Sequence, residues 1–199
     1  MNYKTAIKLL ENGKGYTVKD YFKNNGYNLE YGYINLLEGN FEEAKKTFEI
    51  LTSTRAEWAL LLISLIKGES YELPSYFQIR NFLEIDISLF LKYKRTKYVQ
   101  QLLKIADFLQ DINNETYKFI ARVMLKHNFM EISKIFLDKA VSYYYNDVEL
   151  HYLYVEFYLA HNDLTNALKA VNTCLRINPT YYPAKKTYIE LTTEKSQLS

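Results

Sequence analysis

The chain has 199 residues, with 25 Lys or Arg against 23 Asp or Glu and a formal charge of +2. Hydrophobic residues make up 48% and charged residues 24%, a balance that excludes a disordered chain and argues against the strongly basic classes dedicated to nucleic acid or anionic membrane. Six Gly and three Pro are too few for a turn-rich all-β fold, and a single cysteine, Cys174, excludes an intrachain disulfide, in keeping with a reducing compartment.

The N-terminus reads Met1-Asn2-Tyr3-Lys4-Thr5-Ala6-Ile7-Lys8, and Lys8 interrupts any apolar core of a signal peptide. The longest uncharged apolar run, Trp58 to Ile66, holds nine residues; a membrane-spanning helix needs about 20. A soluble, cytoplasmic protein without membrane insertion is expected. Residues 1–24 are read as an N-terminal helical cap. Within it Gly13-Lys14-Gly15 begins like a phosphate loop, but Val18 stands where the last glycine of G-x-G-x-x-G belongs, and neither Ser nor Thr follows Lys14. A turn is the expectation there.

From residue 25 onward, three segments superpose. Leu37-Glu38-Gly39-Asn40-Phe41-Glu42-Glu43-Ala44 is followed by Phe48. Leu125-Lys126-His127-Asn128-Phe129-Met130-Glu131-Ile132 is followed by Phe136, and Ala160-His161-Asn162-Asp163-Leu164-Thr165-Asn166-Ala167 by Val171. Each joins an apolar helix end, a short polar turn, and apolar positions three and four apart that share one face of a new helix. Gly39, Asn128 and Asn162 suit the left-handed conformation that ends a helix. Ile132 and Ala167 lie 35 residues apart, close to a period of about 34. Phe48, Phe136 and Val171 are expected in the core. Helix pairs are placed near 25–54, 55–80, 81–112, 113–146 and 147–179, with 55–80 and 81–112 degenerate. A final capping helix, within 180–195, runs from near Pro183 to near Glu194, its outer face made polar by Lys185, Lys186, Thr187 and Glu190. Lys195 to Ser199 are expected to fray.

These residues resemble the tetratricopeptide repeat family, whose pattern is W-x2-L-G-x2-Y, then A-x3-F, then P. Tyr31, Gly32, Phe41, Ala44 and Phe48 carry the likeness in one unit; Tyr154, Tyr158, Leu164, Ala167 and Pro179 carry it in another. Trp58, Leu61, Leu62 and Leu65 match the first-helix half. Only Gly32 keeps the family glycine, with Leu89, Ile120 and Val155 at the equivalent sites elsewhere, and in the degenerate middle Gln101 replaces the small residue. The resemblance implies an all-α fold, a right-handed superhelix of antiparallel helix pairs forming an α-solenoid. It also implies a protein-interaction scaffold or adaptor rather than an enzyme, with no cofactor. The first helices would line a concave groove for a partner peptide or helix, through Leu29, Tyr33, Asn114, Tyr117, Tyr152, Glu156 and Lys186. Relatives that grip acidic chaperone tails use Lys and Asn where this chain has Leu29, Tyr33 and Leu60, so such a tail is not the expected ligand. A chaperone or structural subunit of a secretion or motility assembly is a close alternative.

Other candidates for chemistry are few. His127, His151 and His161 form no H-E-x-x-H, and one cysteine makes no Cys-rich metal site. His151 is expected to pack. Cys174 lies on the apolar face of a helix beginning near Asp163, as a small buried residue. Lys92-Tyr93-Lys94-Arg95-Thr96-Lys97-Tyr98 is the densest basic run. It is read as a solvated turn, with a nucleic-acid-linked regulator that grips phosphates and stacks bases as the alternative.

Overall fold

The computed structural model describes residues 1–69 and 72–197, with side chains to Thr193. It divides into two compact units, Met1–Thr116 and Tyr117–Ser199. The first contains α1 (Tyr3–Glu11), a 3-10 turn (Gly15–Val18), α2 (Lys19–Asn24), α3 (Asn28–Glu38), α4 (Phe41–Glu49), α5 (Thr54–Lys67), α6 (Tyr76–Lys92), α7 (Thr96–Lys104) and α8 (Ala106–Ile112). The second contains α9 (Thr116–Lys126), whose first residue marks the division, then α10 (Met130–Tyr143), α11 (Val148–Ala160), α12 (Leu164–Ile177) and α13 (Tyr182–Gln197). The fold is all helical, with no strand among the described residues. No described helix is long and apolar enough to cross a membrane.

Local chemistry starts and stops these helices. Side chains of Asn2, Ser53, Asp147 and Asp163 accept backbone N–H bonds in the first turns of α1, α5, α11 and α12. Ser75 and Gln78 form a reciprocal capping box at the start of α6. At the other ends one device recurs. Gly13, Gly26, Gly39, Gly68, Lys94, Asn128 and Asn162 all have positive φ. At each, the residue's own N–H bonds the carbonyl three back and the next N–H bonds the carbonyl five back, as in Asn40 to Asn35, Arg95 to Phe90 and Phe129 to Met124. This double bond satisfies carbonyls that a helix end leaves orphaned.

Three of these turn residues, Lys94, Asn128 and Asn162, follow one another at 34 residues. They move the expected repeat register by one position. Asn128 pairs with Gly39 and Asn162, so the small residue against the preceding helix is Ser133, not Ile132. Ser133 is fully buried, with its hydroxyl on the Ala121 carbonyl at 2.9 Å. The matching large residue is Leu137, and Phe136 is buried beside it. Likewise Ile87, Ala121 and Val155, all fully buried, hold the place of Gly32, rather than Leu89 and Ile120. Val99, rather than Gln101, takes the small-residue place in the degenerate middle. Phe48 and Val171 are fully buried, as is Cys174.

The degenerate region also differs in its helix boundaries. Helix α6 runs unbroken from residue 76 to 92, across the boundary expected at 80, and forms its hairpin with α7. Pro74 stands just before the Ser75 cap, at the entry to α6. The first unit is tied by a buried polar cluster at this point. Asp86, with no exposed surface, accepts from both terminal nitrogens of Arg55 (3.0 and 2.6 Å), from the Trp58 indole (2.6 Å) and from the Tyr33 hydroxyl (3.4 Å). The Arg55 guanidinium lies 4.6 Å from the ring centres of both Tyr33 and Phe82. Helices α3, α5 and α6 thus share one carboxylate, whose pKa burial raises in spite of Arg55.

The basic run is in part a solvated turn, with Lys92, Lys94 and Lys97 exposed, and in part folds back onto the chain. Lys92 donates to the Glu11 carbonyl, Tyr93 to the Leu10 carbonyl, and Arg95 to the Leu37 carbonyl. Those acceptors lie in the last turns of α1 and α3, where a cation complements the helix dipole. The Tyr93 hydroxyl also accepts from Gly15 N–H at 2.6 Å. A β-carbon at Gly15 would lie 2.3 Å from that oxygen, so the Gly-Lys-Gly turn is shaped by the basic run and not by a phosphate.

In the second unit, Val155, Ala167, Val171, Cys174, Ala184 and Leu191 build a core across α11, α12 and α13. The capping helix begins one residue before Pro183 and extends to Gln197. Its outer face is less polar than expected. Thr187 is buried, bonded to the Pro183 carbonyl, while Tyr182, Tyr188 and Ile189 are exposed. Residues 198 and 199, part of the end expected to fray, lie outside the described residues.

Candidate functional site

The second unit carries a cleft of about 520 Å³ between α9, α11 and the residue that precedes α13. Its floor is Leu125 and Leu153, both buried. Arg122 and Lys126 stand one turn apart on α9; Glu149, Tyr152 and Glu156 follow at one-turn steps on α11. Tyr181 closes one end, its ring edge-on to Tyr152 at 5.7 Å.

The wall is set by the start of α11. Asp147 caps that helix, accepting from Glu149 and Leu150 N–H at 2.9 and 3.2 Å, and takes a 2.7 Å bond from the Lys118 ammonium. Burial opposes its charge, but Lys118 and the two N–H groups prevail and hold its carboxyl below the ordinary value. Glu149 is shared by Lys118 and Arg122 at 3.7 and 3.3 Å. Tyr152 is held by its hydroxyl, 3.1 Å from that of Thr187.

Against these engaged groups, Lys126, Glu156 and the Tyr181 hydroxyl make no hydrogen bond or ion pair among the described residues. Desolvation raises the Glu156 pKa, with Arg122 opposing it more weakly. The cleft therefore offers a leucine floor, two tyrosine rings, one cation and one anion, an arrangement suited to an extended or helical peptide.

The expected groove residues divide. Tyr152 and Glu156 meet in this cleft, and Lys186 is exposed on α13 with Glu190 at 3.8 Å, outside the lining. Tyr117 is buried between Phe136 and Tyr143, with Lys139 over its ring. At a spacing of 34, the neighbour of Tyr117, Lys118, matches Tyr152, but Tyr117 and Lys118 are both buried and outside the cleft lining. In the first unit, Leu29 is half-buried on α3, and Asn114 is exposed in the connection before α9. Tyr33 is only 4% exposed and belongs to the Asp86 cluster. The sequence reading missed Arg122, Lys126 and Tyr181. The first two stand one turn apart, and Arg122 matches Glu156 at the 34-residue spacing, so the correct register would have found it.

The remaining candidates have structural partners. His151 bonds the Tyr145 carbonyl at 2.8 Å and stacks obliquely on Tyr154; His161 bonds the Phe157 carbonyl at 2.8 Å. Burial pushes the Cys174 thiol up to about 12, which suppresses the thiolate. No group of three or more His, Cys, Asp or Glu among the described residues is placed to hold a metal ion. Comparison with protein-family models, with curated proteins and with solved structures gives no match.

Proposed function

We propose that this protein is a tetratricopeptide-like scaffold that holds a segment of another protein in the cleft of its second unit. The observation that carries this reading is the pairing of an apolar floor with ionic groups left unengaged at Lys126 and Glu156. Glu156 is partly desolvated and only weakly compensated by Arg122, whereas a partner's amide or cation would engage it directly. The turn residues recurring at 34 residues support the family resemblance, and in that family successive first helices line such a face and the pairs form a right-handed superhelix.

The test is a photocrosslinking amino acid placed at Glu156, with a second placed at Glu131 on the outer side of α10 as control. One protein species captured from Glu156 alone, and lost when Tyr181→Ala and Lys126→Glu are combined without change in melting temperature, supports the scaffold. Equal capture from both positions defeats it. The nucleic-acid alternative is the weaker reading, since Lys92, Tyr93 and Arg95 bond the chain's own carbonyls and leave Lys94 and Lys97 as the exposed cations of the run that make no such bond.

A further inference from the structure

A second concave surface lies in the first unit, between α4 and α5, with a volume of about 410 Å³. Leu60 and Leu61 form its base, half-buried where most apolar residues of α5 are fully covered. Glu42 and Glu49 belong to α4 and Glu57 to α5, and Glu69 and Glu72 complete the acidic lining. Only Lys45 and Lys67 oppose these five carboxylates, so the lining carries a formal charge of −3 in a chain whose total is +2.

Two of the carboxylates are neutralised locally, Glu49 by Lys45 at 4.0 Å and Glu69 by Lys67. Glu42, Glu57 and Glu72 make no hydrogen bond or ion pair among the described residues. The helix beneath is unusual as well. Helix α5 ends at Lys67 and α6 begins at Tyr76, without the two- or three-residue turn that joins α3 to α4 and α6 to α7. Its outer stripe, Glu57, Leu60, Leu61 and Ser64, stays exposed or half-buried among the described residues.

We propose that this groove docks a cationic amphipathic segment of another protein. An apolar side chain of the segment rests on Leu60 and Leu61, and its Lys or Arg side chains meet Glu42 and Glu57. Charge complementarity selects the occupant. An acidic segment is repelled, and a neutral one gains the leucines but leaves the carboxylate rim unanswered.

The test uses the full chain and a fluorescein-labelled amphipathic peptide of Leu and Lys, about 18 residues long, read by fluorescence anisotropy at low and physiological salt. The expected result is saturable binding that Glu42→Gln with Glu57→Gln weakens roughly tenfold, and that Leu61→Ser also weakens. A charge-matched control, Glu11→Gln with Glu131→Gln on exposed sites elsewhere, leaves the affinity unchanged. Equal losses in the two double variants would show diffuse attraction and overturn the proposal. So would equal binding of a peptide with Gln in place of Lys, or no binding at low salt. These glutamates are exposed or half-exposed, so circular dichroism should report unaltered folding in each variant. Substitutions at Lys126 and Tyr181 should leave this peptide's binding intact, which separates the groove from the cleft of the second unit.

Discussion

Single positions in this chain are decided by backbone geometry and contact distance more than by residue class. Lys94 occupies a left-handed conformation, φ 56°, at a turn where four other helix ends use Gly. A side chain there costs about 1 kcal/mol relative to glycine, so Lys94→Gly should raise the unfolding free energy by about that amount and move the denaturation midpoint upward. Gly32 gives the opposite result. A β-carbon there would meet the Phe48 ring at 2.5 Å, and Phe48 is fully buried. Alanine gains about 1 kcal/mol in helix propensity but overpacks by about 1–3 kcal/mol, so Gly32→Ala should lower the midpoint. Asp86→Ala removes the acceptor of Arg55 and Trp58 together and should cost at least about 3 kcal/mol. Urea titration checks all three, and an unaltered midpoint for Asp86→Ala would show that its partners re-pair with water at no loss.

At the scale of elements, the start of α11 links stability to pH. The Asp147 carboxyl is held below its ordinary value in the folded state. A depressed carboxylate contributes stability that is present above the unfolded pKa, about 3.9, and is lost as pH falls through the folded value. Melting temperature should therefore fall more steeply below pH 4 in the native chain than in Asp147→Asn, which has already lost the cap and the Lys118 pair. Glu156 works in the other direction. Its pKa is raised above 4.5, so a cation bound beside it favours the ionised form, and such binding should tighten as pH rises through that raised value. The hairpins themselves show why element boundaries were only partly legible. Turn chemistry at Gly39, Asn128 and Asn162 was readable from residue type, because Gly and Asn tolerate positive φ. Lys94 carries no such mark, and α6 consequently looked divided near residue 80 when it is continuous.

For the molecule as a whole, the second unit has its own core in Val155, Ala167, Val171, Cys174, Ala184 and Leu191. A unit with its own hydrophobic core can in principle fold alone. A fragment from Asn113 keeps the first turn of α9, since Asn113 accepts from Glu115 N–H and its carbonyl receives the Thr116 hydroxyl. This fragment should melt cooperatively with helical circular dichroism; a broad, non-cooperative melt would show that the unit needs the rest of the chain. The sequence alone determined the all-helical class, the turns at Gly39, Asn128 and Asn162, and the buried places of Phe48, Phe136, Val171 and Cys174. Those follow from three- and four-residue apolar spacing and local turn chemistry, which act within a few residues of each position. Tertiary structure alone decided the register, the fate of Tyr33 and Tyr117, and the use of the basic run to cap α1 and α3. Each depends on a group distant in sequence, and a one-residue slip on a helix turns a side chain by about 100°, enough to exchange a groove tyrosine for a buried one.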